Sequence, residues 1–77
     1  MDADKLVKMA NEIASFFEAE PERAVRLAAI AGHLRRFWDP RMRRELLRWA
    51  DDHHGEGLKD SARAAIEAHR DKLLGGV

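Results

Sequence analysis

The sequence predicts an all-α protein, a small bundle of about four short helices. Alanine, leucine, arginine and glutamate dominate, and all four favour helices. β-Branched residues are limited to three valines and three isoleucines, with no threonine. No stretch alternates apolar and polar residues with the period of two that a half-buried strand requires. At 77 residues the chain is expected to form a single helical domain over residues 1–77. A fold of this size buries only about 60% of the surface its unfolded chain exposes. Thirteen of the apolar residues are alanines, leaving twenty-two larger ones for a thin core. Small scaffolds without disulfides or metal often rely on oligomers or partners.

The first helix is expected over about residues 3–20, capped by Asp2 or Asp4. Leu6, Met9, Ala10, Ile13, Phe16 and Phe17 share one face, and Lys5, Lys8, Glu12 and Ser15 the other. Val7 and Ala14 widen the apolar side enough for more than one neighbour. Asn11 is mildly unfavourable in mid-helix, so a hydrogen-bonding role stands beside that of a plain surface amide. Pro21 either ends this helix or opens the next, at about 21–36. There Ala24, Ala28 and Ala31 form a row that would let another helix approach. Gly32 costs about 1 kcal/mol relative to alanine inside a helix, and a close backbone approach is its expected reason.

Phe37-Trp38-Asp39-Pro40 is the sharpest break, with Asp39 suited to an N-cap and Pro40 to the first helical position. The third helix is expected over about 40–52, with Met42, Leu46, Trp49 and Ala50 inward and Leu47 flanking. Residues His53 to Gly57 read as a loop, with Gly55 or Gly57 available for a left-handed cap. A fourth helix, about 58–74, carries Leu58, Ala62, Ala65, Ile66, Leu73 and Leu74, and Gly75-Gly76-Val77 should fray.

Composition removes most catalytic chemistry. The absence of cysteine excludes disulfides, iron–sulfur ligation, thiolate zinc sites and cysteine nucleophiles. Ser15 and Ser61 are the only hydroxyl side chains, which leaves little for covalent catalysis. Asp51-Asp52-His53-His54 has metal-binding residue types, but adjacent side chains rarely converge on one ion and no second set stands at i, i+4. It reads as a polar helix end, His33 as a surface or interface residue and His69 as a satisfied core histidine. Gly55-Glu56-Gly57 is too short for a phosphate loop. No catalytic, cofactor-binding or metal-binding residue is assigned. The acidic start, Met1-Asp2-Ala3-Asp4, is unlike a signal peptide. No apolar run approaches the ~20 residues of a membrane span, so a cytoplasmic protein without membrane contact is expected.

The formal charge of zero hides a strong asymmetry. Residues 1–22 carry six acids against two lysines, and residues 51–77 six acids against four bases. Residues 23–50 carry eight arginines against two acids, together with both tryptophans. One reading of this block is a solvated face pairing with the acidic ends. Arg35 and Arg36 suit a helix C-terminus, but Arg41, Arg43 and Arg44 stand at the start of a helix, where its dipole disfavours cations. That local conflict points towards function. Arg41, Arg44 and Arg48 share the polar side, whereas Arg43 falls on the edge of the apolar face. Arg43 is therefore expected to be covered by a carboxylate or by carbonyls, of its own fold or of a partner.

Two stretches carry a family resemblance. Lys5-Leu6-Val7-Lys8-Met9-Ala10-Asn11-Glu12-Ile13, followed by Phe16-Phe17, is one. Ile30-Ala31-Gly32-His33-Leu34-Arg35-Arg36-Phe37-Trp38-Asp39-Pro40-Arg41-Met42-Arg43-Arg44 is the other. In order, they resemble the delta subunit of the bacterial soluble NAD-dependent, molybdenum-containing formate dehydrogenases over about residues 5–48. After Leu58 the pattern departs, with Lys59-Asp60 where a proline would be expected. The resemblance implies a non-catalytic accessory subunit that binds the alpha, catalytic subunit and supports assembly, cofactor retention or stability. It implies no cofactor in this chain. Molybdenum bis-pterin guanine dinucleotide, iron–sulfur clusters, FMN and NAD would lie elsewhere in the complex, whose beta and gamma subunits are further candidate partners. Phe37, Trp38 and Met42 would be apolar anchors, and Arg41, Arg43 and Arg44 would pair with carboxylates of the alpha subunit. For Trp38, core packing is the competing reading. The isolated chain would be a candidate homo-oligomer. The alternative function is a helix-turn-helix-like nucleic-acid binder, against which the zero net charge and the acidic ends count.

Overall fold

The computed structural model describes residues 2–75. The helices are α1 (Ala3–Phe16), α2 (Arg23–Phe37), α3 (Pro40–His53), α4 (Asp60–Ala68) and the single turn α5 (Arg70–Leu73), and no strand occurs among the described residues. The all-α class and the four principal helices match the sequence reading. α2 packs mainly on α4, α1 touches α2, α3 and α4, and α5 closes against α2, α3 and α4. No helix among the described residues is long and apolar enough to cross a membrane.

Local chemistry sets the ends. Asp2 caps α1, its Oδ1 accepting from Asp4 N at 3.0 Å. Asp39 caps α3, its Oδ1 accepting from Arg41 N at 2.8 Å and Met42 N at 3.1 Å, with Pro40 in the first turn. α1 ends four residues earlier than expected, and Pro21 lies between α1 and α2 rather than inside either. The left-handed position after α3 falls on His54 (φ 55°), not on a glycine, with Gly55 (φ 71°) following. Histidine is among the residues that tolerate this conformation better than most. The fourth expected helix begins at Asp60 and breaks at His69, where φ −120° and ψ 29° leave helical geometry. The short α5 that follows turns Leu73 into the core. Gly75 turns back with φ 119°, and the fraying expected of Gly76 and Val77 lies outside the described residues.

Leu6, Ile30, Leu34, Leu46 and Leu73 are the largest fully buried side chains, joined by Trp38, Leu47, Leu58 and Ile66. Alanines allow the close crossing of α2 and α4: Ala31 meets a core that contains Ala62 and Ala65. Ala24 and Ala28, expected to extend that row, are exposed instead. Met9 and Phe16, placed on the apolar face by periodicity, are also exposed. α1 ends at Phe16 itself, so no further turn carries that face onward.

Asn11 does make the hydrogen bonds its awkward position foreshadowed. Its Nδ2 donates to Gly57 O at 2.9 Å and its Oδ1 accepts from Lys59 N at 2.8 Å. The amide thus stands in for a strand-like partner to the loop, and it satisfies the backbone where α4 lacks a side-chain cap. Asn11→Ala is expected to destabilise the chain by about 1–2 kcal/mol. Asp39→Ala should cost about 1 kcal/mol. Each would lower the midpoint of a circular-dichroism melt by roughly 4–8 °C per kcal/mol.

Candidate functional site

The six residues singled out around the α2–α3 junction divide between interior and surface. Trp38, the C-cap of α2, is 5% exposed and belongs to the core. Arg43 is 3% exposed and is the one buried charged residue among those described. Met42 is half-buried against the core. Phe37 is 67% exposed, and Arg41 and Arg44 are exposed on the outer side of α3. For Trp38 the core-packing reading holds, and Arg43 is covered within its own fold, so both spend their surface inside this chain.

Arg43 is held by main-chain carbonyls. Its Nε donates to Leu73 O at 2.9 Å, and its Nη1 donates to Arg35 O at 2.9 Å and Trp38 O at 2.8 Å. All three acceptors stand at helix ends, the first at α5 and the other two at α2, where the last carbonyls have no intrahelical donor. The apparent conflict of a cation at the start of α3 is thereby explained. The guanidinium stretches away from its own helix start and caps two helix ends, the terminus a cation favours. Burial pushes the Arg43 pKa below that of a free arginine, with Arg35 and Arg44 adding to the fall and Asp39 opposing it. Arginine nonetheless stays charged throughout the accessible pH range.

The rest of the basic block finds few carboxylates. Arg23 pairs with Asp60 at 3.5 Å and Arg26 donates to Glu20 O. Arg35 donates to Gly75 O at 3.2 Å. Among the described residues no ion pair involves Arg35, Arg36, Arg41, Arg44 or Arg48. The remaining pairs are Lys59–Glu18, Arg63–Asp60 and Arg70–Asp51. The Asp51 hydrogen bond raises the Arg70 pKa.

Beside these arginines runs an aromatic strip that periodicity concealed. Phe16 and Phe17 meet edge to face with centroids 5.1 Å apart. Phe17 stands 6.4 Å from His33, and His33 4.7 Å from Phe37. Phe16 is 79% exposed, more than any other large apolar side chain described. The strip thus joins the end of α1 to the end of α2. The sequence places Phe37 at a partner surface and His33 at a surface or interface, but puts Phe16 and Phe17 on the inward face of α1. The odd glycine nearby, Gly32, was a usable signal for the rest.

The residues of the other sequence candidates diverge. Asp51 turns to Arg70, while His53 stacks on Trp49 at 4.5 Å and its Nδ1 lies 2.9 Å from Trp49 O. Among the described residues no group of three His, Cys, Asp or Glu side chains is arranged to hold a metal ion. α2 and α3 are joined by Trp38 and Asp39 alone, shorter than the three- to four-residue turn of a helix-turn-helix unit.

Exposed phenylalanines beside arginines without carboxylate partners are residue types enriched at protein–protein contacts. A small helical protein with such a surface is of the kind that works as part of a larger assembly. Residues 5–66 match the family of NADH-dependent formate dehydrogenase delta subunits, FdsD, and the chain belongs to that family. No curated protein and no solved structure matches it. The matched span takes in α1 from Lys5 onward, all of α2 and α3, and most of α4.

Arg43→Met is expected to cost about 2–4 kcal/mol, since it strands three carbonyl acceptors that the fold encloses. Arg43→Lys should recover only part of this, because one ammonium cannot reproduce the fork. Trp38→Ala should cost about 3–5 kcal/mol by opening a cavity. Urea denaturation of the isolated chain measures all three.

Proposed function

We propose that this chain is a non-catalytic accessory subunit that binds the alpha, molybdenum-carrying subunit of an NAD-dependent formate dehydrogenase. It would support assembly, cofactor retention or stability of the active complex. The family match over residues 5–66 carries the reading. The composition supports it, since a chain without cysteine offers no thiolate for an iron–sulfur cluster. Molybdenum bis-pterin guanine dinucleotide, iron–sulfur clusters, FMN and NAD would then reside in other subunits, and the beta and gamma subunits would be secondary contacts in a cytoplasmic complex. On this chain, Phe37 is the exposed apolar anchor, and Arg41 and Arg44 offer planar forks to carboxylates. Trp38 and Arg43 contribute by holding the α2–α3 junction that presents them.

Co-expression of the alpha, beta and gamma subunits with and without the tagged chain tests the proposal. The alpha subunit should co-purify with the tag, and formate-dependent NAD reduction per unit of alpha should fall several-fold when the chain is omitted. Absence of the alpha subunit from the eluate, or unchanged activity, overturns it. Arg41→Glu combined with Arg44→Glu should leave the melting midpoint within a few degrees of its original value. It should lower recovery of the alpha subunit by about tenfold or more, as hot-spot arginines do.

A further inference from the structure

The surface of α2 between the phenylalanines and the basic C-terminal turn is a shallow groove lined by Phe17, Gly32, His33, Arg36, Phe37 and Lys72. An ideal Cβ built on Gly32 meets nothing within 4 Å. The close backbone approach expected at this mid-helix glycine is therefore absent within the chain. The chain accepts a helix-weakening residue at a place where its own packing makes no use of it. Phe37 on the groove's edge is 67% exposed, and Phe16, which packs on Phe17, is 79% exposed.

The rim narrows the choice of occupant. Arg35, Arg36 and Lys72 border the groove and make no ion pair among the described residues. The acids of α1 and of the turn after it are partly engaged elsewhere, Glu18 with Lys59 and Glu20 with the backbone of Glu22. An aromatic floor, a basic rim and a bare glycine at the centre suit one kind of ligand. That ligand is an amphipathic helix whose apolar side carries flanking carboxylates and whose backbone comes close to α2 at Gly32.

We infer that the Phe17–Gly32–Phe37 groove seats an acidic amphipathic helix of the subunit this chain binds, with Gly32 as the point of closest approach. The inference rests on the accessory-subunit reading above and adds the place and chemistry of contact. A side chain at position 32 would hold the incoming helix away by its own length. Reversal of charge at position 36 would set like charges against each other.

The test uses the tagged full-length chain co-expressed with the alpha, beta and gamma subunits. The chain is unsubstituted or carries Gly32→Leu, Phe37→Ser or Arg36→Glu. Gly32→Leu should melt at or above the temperature of the unsubstituted chain, because leucine favours the helix and its Cβ meets no neighbour within 4 Å. All three variants should recover at least tenfold less of the alpha subunit. Should Phe37→Ser fold poorly, Gly32→Leu and Arg36→Glu decide. Folded variants that recover the alpha subunit as well as the unsubstituted chain overturn the groove and leave the accessory role standing. Failure of the unsubstituted chain to recover the alpha subunit overturns both. An isolated chain that sediments as a dimer and becomes monomeric with Gly32→Leu assigns the groove to a second copy, which also overturns the inference.

Discussion

The fold depends on one buried guanidinium. Arg43 reaches from the first turn of α3 to the carbonyl ends of α2 and α5, and its three hydrogen bonds close gaps that α-helical geometry always leaves open. Without it, the buried carbonyls of Trp38 and Leu73 and the partly buried one of Arg35 would lose their donor. Burying a cation is costly, and the lowered pKa of Arg43 records that cost. Main-chain carbonyls repay it without a second buried charge, at the helix ends whose partial charge attracts a cation. This also fixes geometry. The short link through Trp38 and Asp39 is pinned between its own capping aspartate and the arginine that binds the carbonyl of Trp38.

The other arginines follow from this arrangement. One member of the basic block is spent inside, Arg23 pairs with Asp60, and Arg26 and Arg35 bind carbonyls at the margins. Arg36, Arg41, Arg44 and Arg48 remain on the surface without carboxylates among the described residues. A chain with no net charge thus keeps a locally basic surface, because its acids lie largely on other elements. Exposed ion pairs would have added little to stability in any case. Keeping these cations unpaired costs the isolated chain little and leaves them available to a partner.

Much of the architecture was legible from residue pattern alone. The Asp39-Pro40 start of α3 and the inward Leu46, Ala62, Ala65 and Ile66 follow from capping chemistry and helical period, whereas Leu47 is buried rather than flanking and the expected inward Leu74 is exposed. Arg43 was legible in part, since its helical angle places it at the apolar edge. Its partners were not, because main-chain acceptors leave no trace in residue identity. Gly32 stood out as a misfit, but an internal approach and an external one look the same in a sequence. Phe16 misled, since a repeat in apolar positions cannot tell where the helix beneath it stops. The break at His69 was hidden for a related reason: Ile66 and Leu73 are seven residues apart, a spacing that an unbroken helix also satisfies.

The contact between Arg43 and Leu73 O bears on how freely this protein can drift in sequence. A carbonyl is the same on every residue, so the polar part of the clasp on α5 makes no demand on which amino acid supplies it. The Gly75 carbonyl bound by Arg35 is equally anonymous. The side chains that hold the segment are Leu73, in the core, and Arg70, paired with Asp51. The last segment can therefore exchange most of its residues while keeping its place, and the recognised family pattern stops at Ile66 although the helical structure continues to Leu73. A residue held through its carbonyl alone is thus freer to vary than the arginine that binds it.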